Sequence, residues 1–134
     1  MVMVNDSVSD FINRLKTTAQ AGGLKVSAPY AKLLEAIAKK LEAKGFLDSV
    51  EVRGKADEKR TLVVVLSQNA QGRAKIEDVE RMSKPGRRLY GGKGDMVRVR
   101  GGRGAMIVST PKGILTAEEA KKENIGGELL FKVW

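Results

Sequence analysis

The side chains with chemical potential gather late in the chain. Ser109 and Lys112, in the stretch STPKGILTAEEA over residues 109–120, stand at the S-x-x-K spacing of some acylating serine enzymes, a nucleophile with its base. Those enzymes set the serine at the start of a helix and add S-D-N and K-T-G motifs, neither of which occurs here. Thr110-Pro111-Lys112-Gly113 instead has proline at the second and glycine at the fourth position of a type I turn. Thr116 and Glu119 match a capping box, S/T-x-x-E, so Thr116 is expected to cap a short helix. That leaves Ser109 and Thr110 without a capping duty. The pair reads as a turn surface for contact, not as a nucleophile.

Two other stretches invite a phosphate reading. The glycine-rich run GGKGDMVRVRGGRG at 91–104 fails as a Walker-type loop, because Gly94 follows Lys93 and Arg87 stands where the first glycine belongs. Its RGGRG end, 100–104, resembles a flexible arginine-glycine element able to lie along a nucleic-acid backbone. Glycines that need φ > 0 in a surface loop account for it equally well. In RMSKPGRRLY at 81–90, a turn at Pro85–Gly86 is crowded by Arg81, Lys84, Arg87 and Arg88. Turn chemistry explains the proline and glycine but not four mutually repelling cations, which an intervening phosphate would relieve.

The charge distribution supports this. The 134 residues carry 25 Lys+Arg and 16 Asp+Glu, a net +9. Residues 81–112 alone hold nine basic side chains against one acid, Asp95, for a net +8. A surplus so concentrated usually meets a polyanion, and nucleic acid leads the candidates. The chain has no cysteine and no histidine, which excludes disulfides, thiol catalysis and zinc-thiolate sites and removes the commonest general base. No enzyme activity, metal or cofactor is expected. The longest apolar run, LVVVL at 62–66, is far too short for a bilayer, and the first ten residues lack the features of a signal peptide, so a cytoplasmic protein is expected.

Helical spacing of Val8, Phe11, Ile12, Leu15 and Ala19 predicts a first helix over 7–21, capped by Asp6 or Ser7 and stopped by Gly22–Gly23. A short strand, LKVSA, precedes a second helix opened by Pro29, with Leu33, Leu34, Ile37 and Leu41 inward and Gly45 closing it. A hairpin follows: FLDSVEVR, a turn at 54–59, and RTLVVVLSQ. The polar stretch at 69–75 is the best boundary. Beyond it come KIEDVERM, the turn SKPG, a strand RRLY, the glycine-rich run, a strand AMIVS, the short helix and a last strand GELLFKVW. The pattern predicts an α+β fold of two small lobes: a helix-strand-helix-hairpin lobe over 1–68 and a mostly β lobe with a short helix over 75–134. With three Phe, two Tyr and one Trp, no base-stacking platform is expected.

Taken in order, RMSKPGRRLYGGKG, STPKG and TAEEAKKENIGGELLFKVW resemble the bacterial form of the small-subunit ribosomal protein eight family, whose C-terminal signature is a Ser-Thr-Ser-Lys-Gly turn, a short helix, then Gly-Gly-Glu and a strand ending in tryptophan. SDFINRLKTTAQ and APYAKLLEAIAKKLEAKGFL are similar to the family's first two helices, so the resemblance spans nearly the whole chain. It implies a ribosomal, primary binder of a helix in the central domain of 16S rRNA, acting early in assembly beside neighbouring small-subunit proteins, and in some bacteria repressing its own operon messenger. By resemblance, RNA contacts carry over to Ser109, Thr110, Lys112, Gly113, Gly126, Gly127 and Glu128, and at the basic turn to Ser83, Lys84, Pro85, Gly86 and Tyr90. Arg87 and Arg88 join that turn on charge, and Arg14 and Lys32 match basic positions of the N-terminal helices. A carboxylate such as Glu128 is costly beside phosphates and suits base-edge donors. Three departures stand out. Pro111 replaces the second serine, removing a hydroxyl and a backbone donor; Thr17–Thr18 replace Asn-Ala; and 94–104 replaces a less basic segment that usually contains a helix. The alternative reading is a non-ribosomal RNA- or DNA-binding regulator.

Overall fold

The computed structural model describes residues 3–55 and 59–134, the side chains of 3–6 excepted. Helix α1 (Met3–Gln20) buries Val8, Phe11, Ile12 and Leu15 on one face. It begins upstream of Asp6 and Ser7, so these expected caps lie inside it; Val4, one turn before Val8, extends the helical period. Pro29, expected to open the second helix, instead closes β1 (Lys25–Pro29), and α2 (Lys32–Ala43) starts three residues later behind Ala31. Strand β1 is an edge strand, where a residue without an N–H at the strand end costs no ladder bond. Leu34, Ile37, Ala38 and Leu41 form the buried stripe of α2.

The expected hairpin is present as β2 (Leu47–Arg53) and β3 (Thr61–Leu66); residues 56–58 of its turn lie outside the described residues. β3 is central in the order β1-β3-β2, and four of its six residues are buried, consecutive ones among them, so its sequence is a continuous apolar run rather than an alternation.

The second sheet has five strands: β4 (Val79–Arg81), β5 (Tyr90–Gly91), β6 (Ala105–Thr110), β7 (Gly113–Thr116) and β8 (Gly127–Val133). β8 pairs with β6 along one edge and, end to end, with β5 and β4 along the other. The strand expected over 87–90 is reduced to Tyr90–Gly91, because Lys84 and Arg87 exchange backbone hydrogen bonds (3.0 and 2.9 Å) and close the basic turn first. β7 was not predicted; it pairs with β6 to make a two-residue hairpin at Pro111–Lys112. Helix α3 (Ala117–Lys122) begins with the expected capping box: the Glu119 amide donates to Thr116 Oγ1 (3.2 Å), and the Thr116 amide donates to Glu119 Oε1 (2.9 Å). Residues 91–104 contain a single-turn 3-10 helix, Lys93–Asp95, and a tight turn at Arg100–Gly102 whose backbone is left-handed.

One face of the second sheet shares a core with the first lobe, where Ile107, Leu130, Phe131 and Val133 join Phe11, Ile37 and Leu62. The opposite face packs Met106, Val108 and Leu129 under Met96, Val99, Ala117 and Ala120. The two helices nearest the junction are also tied by charge, Lys40 to Glu119 at 3.1 Å and Lys44 to Glu118 at 3.3 Å. The architecture is therefore the expected α+β mix, with helices against the N-terminal sheet and a larger C-terminal sheet.

Candidate nucleic-acid interface

The register of the second sheet decides what its open end displays. Tyr90 is opposite Glu128, and Glu128 is opposite Ser109. Residues paired across strands share a face, so Tyr90, Glu128 and Ser109 form one row across β5, β8 and β6. Around this row lies an open groove of about 640 Å3, walled by Tyr90, Gly91, Gly92, Ser109, Thr110, Pro111, Gly126, Gly127 and Glu128. Six residues named from sequence thus meet in one place although the chain separates them by up to 38 positions (90 to 128).

Close backbone approach builds the groove's floor. A β-carbon on Gly127 would fall on the Ser109 carbonyl oxygen and lie 3.1 Å from Thr110 Cα. One on Gly126 would fall on the Gly91 carbonyl oxygen and lie 3.0 Å from Gly92 Cα. The glycine pair thus lets β8 enter between the other two strands, and its contribution is first of all space.

Glu128 is positioned from behind. Ser83 is buried, 2% exposed, and its hydroxyl donates to Glu128 Oε2 while accepting from the Leu89 amide at 3.2 Å. The hydroxyl of Ser83 therefore faces inward, toward the carboxylate, rather than toward a ligand. It holds one carboxylate oxygen and leaves the other to accept from further donors. Arg81 Nε donates to the Ser83 carbonyl at 2.6 Å, which fixes the same segment from the other side.

The turn at Pro111–Lys112 is similarly self-contained. Thr110 is 9% exposed; its hydroxyl donates to the Gly113 carbonyl (2.8 Å) and accepts from the Lys112 amide (3.1 Å). Thr110 is therefore engaged in the turn rather than freed, whereas half-buried Ser109 makes no side-chain hydrogen bond among the described residues. Lys112 Nζ pairs with Glu123 at 3.1 Å, and no bond joins it to Ser109, so the acylating arrangement is absent among the described residues. Lys112 and Gly113 sit at the hairpin tip beside the groove and do not wall it.

The remaining residues fall into two groups. Lys84, Gly86, Arg87 and Arg88 are exposed and Pro85 half-buried on the basic turn, which Ser83 links to the groove. Arg14 and Lys32 lie on α1 and α2 in the first lobe, away from the groove walls; Arg14 donates to Asp10 (2.9 Å) and to the Ser27 carbonyl (2.7 Å). Sequence reasoning missed Gly91 and Gly92 as wall residues. Their signal was the second glycine pair itself, since two strand ends that approach closely both need the space. Tyr90 is 66% exposed, so the groove offers one aromatic face. Among the described residues no group of three or more His, Cys, Asp or Glu is placed to hold a metal ion, and no helix is long and apolar enough to cross a membrane.

Comparison with known proteins places these features in context. Residues 6–134 match the family model described as ribosomal protein S8. The chain is 39% identical over 132 residues to small ribosomal subunit protein uS8 of Helicobacter pylori strain Shi470, covering 98% of this chain and 100% of that protein. It is 41% identical over 132 residues to the protein of the same name from Chlorobaculum parvum, covering 98% of each, and 38% identical to that of Helicobacter acinonychis.

Proposed function

The chain belongs to the ribosomal protein S8 family, and on that premise we propose that it is a structural constituent of the small ribosomal subunit that binds 16S rRNA through the groove around Glu128. The observation that carries this reading is the row Tyr90–Glu128–Ser109: an aromatic face, a carboxylate and a hydroxyl, side by side at the open end of a sheet. Such a set reads an irregular RNA surface, with stacking on the ring and hydrogen bonds to base edges and 2′-hydroxyls. The carboxylate accepts from exocyclic amino groups, which a phosphate-binding surface has no use for. Around it, the exposed cations Lys84, Arg87, Arg88 and Lys112 supply attraction to the backbone.

In this reading the protein binds one helix of the 16S central domain early in assembly, beside neighbouring small-subunit proteins, and acts without catalysis. The same groove would take a matching element in its own operon messenger. Footprinting on full-length 16S rRNA at rising salt tests this. Protection confined to one central-domain helix, persisting as weaker contacts wash out, is the expected result. Equal affinity for duplex DNA and the 16S fragment would instead indicate a general nucleic-acid-binding regulator.

A further inference from the structure

The other end of β6 and β8 carries a second concentration of charge. A cleft of about 410 Å3 opens there, and its walls include Lys44, Lys75, Arg100, Arg103, Glu77 and Trp134, four cationic side chains against one acidic side chain. Lys44 is already paired with Glu118. Lys75 and Arg103 are exposed and make no ion pair among the described residues. Glu128 and Trp134 are six residue steps apart along β8 and its end, about 20 Å at roughly 3.3 Å each, so these cations are not part of the groove.

The arginine-glycine run is folded into this cleft. Arg100, Gly101 and Gly102 follow one another with φ of 51°, 66° and 96°, a left-handed turn in which an arginine is uncommon. The turn lays the Arg100 guanidinium 4.6 Å from the centroid of the Trp134 ring. Gly104 seats it: a β-carbon there would lie 2.6 Å from the Val133 carbonyl oxygen and 2.7 Å from Val99 Cγ1. Arg100 is thus seated in a flat guanidinium-indole stack, with Lys75 and Arg103 exposed on the same cleft between the two lobes.

We propose that this cleft is a second RNA site, in which Lys75 and Arg103 grip a phosphate of an unpaired or distorted segment and the adjoining base stacks on the outer face of the Arg100 guanidinium. Stacking of splayed bases on arginine planes and aromatic rings is a general mode of RNA recognition. An acidic peptide would satisfy the cations but leave the flat face without a matching surface. The proposal rests on the RNA-binding reading above and adds a second, separate contact to it.

The test uses the full-length chain and full-length 16S rRNA, comparing the natural protein with Lys75→Ala/Arg103→Ala and with Arg100→Gly. The glycine variant keeps the left-handed backbone and removes the stack. The double variant should flatten the plot of log Kobs against log salt by about 0.7 to 0.9, the share of one phosphate, and both variants should lose protection of one RNA segment while the footprint of the groove remains. An unchanged slope and unchanged footprints overturn the proposal. So does a double variant that binds naked 16S rRNA normally but fails to bind a particle of rRNA with other small-subunit proteins, which would assign the cleft to a protein. If the natural protein protects no 16S rRNA at all, the functional reading falls and this proposal with it.

Discussion

Replacing Ser83 with alanine removes a single oxygen, and the structure gives its consequences. Ser83 is 2% exposed, and its hydroxyl makes two bonds, one donated to the Glu128 carboxylate and one accepted from the Leu89 amide. A hydrogen bond to a charged group contributes about 1.5–3 kcal/mol, and a buried amide left unpaired costs about 1–3 kcal/mol. Glu128 and Leu89 are half-buried, so water recovers part of this, and the expected loss is about 2–3 kcal/mol. For a chain of 134 residues that lowers Tm by roughly 6–12 °C. Urea and thermal unfolding of Ser83→Ala, Glu128→Ala and the double variant measure it. The two side chains share one bond, so the cycle should show a coupling of about 1 kcal/mol or more. Additive effects, or a Ser83→Ala loss below about 0.5 kcal/mol, would refute the claim that Ser83 positions the carboxylate.

Three further outcomes follow from the same geometry. Gly127→Ala forces a β-carbon onto the backbone of Ser109 and should cost about 2–4 kcal/mol in unfolding, whereas Gly86→Ala, which meets nothing within 4 Å, should change stability by less than about 0.5 kcal/mol; equal effects would contradict the packing account. Lys112→Ala should reduce the salt slope of 16S binding by about one, while Glu123→Gln, which releases Lys112 from its ion pair, should leave the slope intact and tighten binding; no response to either would remove Lys112 from the phosphate contacts. The third concerns acid. The Lys16 ammonium and the Val79 amide hold Asp78 below its ordinary 3.8 against the opposing push of burial. Burial pushes Glu119 up, but the Thr116 amide and Lys40 together hold it below its ordinary 4.5. Stability from both is full above about pH 4.5 and fades as pH falls through the depressed values, so Asp78→Asn/Glu119→Gln should flatten the acid limb of unfolding, and an unaltered limb would deny these pairs a role.

Much of this fold can be read before any coordinates are seen, where the signal is local. The Thr116–Glu119 capping box is complete within four residues, and the hairpin of β2 and β3 is announced by two β-rich runs around a charged turn. What local pattern cannot supply is pairing. The four residues of β7 are too few to show an alternation between a turn and a cap. Pro29 carries the same residue type whether it opens a helix or ends an edge strand, and only its place beside β3 decides. The groove shows both sides of this. Its residue types stand out in the sequence, yet the row Tyr90–Glu128–Ser109 is a product of strand register. Likewise, nothing local tells that the Thr110 hydroxyl turns inward to Gly113 while that of Ser109 does not.

Strand β8 pairs with three other strands, and all of them precede it in the chain. During synthesis the N-terminal sheet has every strand it needs once residue 66 has emerged, all within close sequence range. The C-terminal sheet has no such option, since β4 and β5 wait for residues 127–133 before gaining a partner in the sheet, and β6, paired locally with β7, waits for its second. Contacts of long sequence separation also form slowly. On the proposed reading, the groove that would grip RNA is therefore assembled only when residues 127–133 slide between their neighbours, so the emergence of that strand, rather than folding of the first lobe, sets when binding becomes possible.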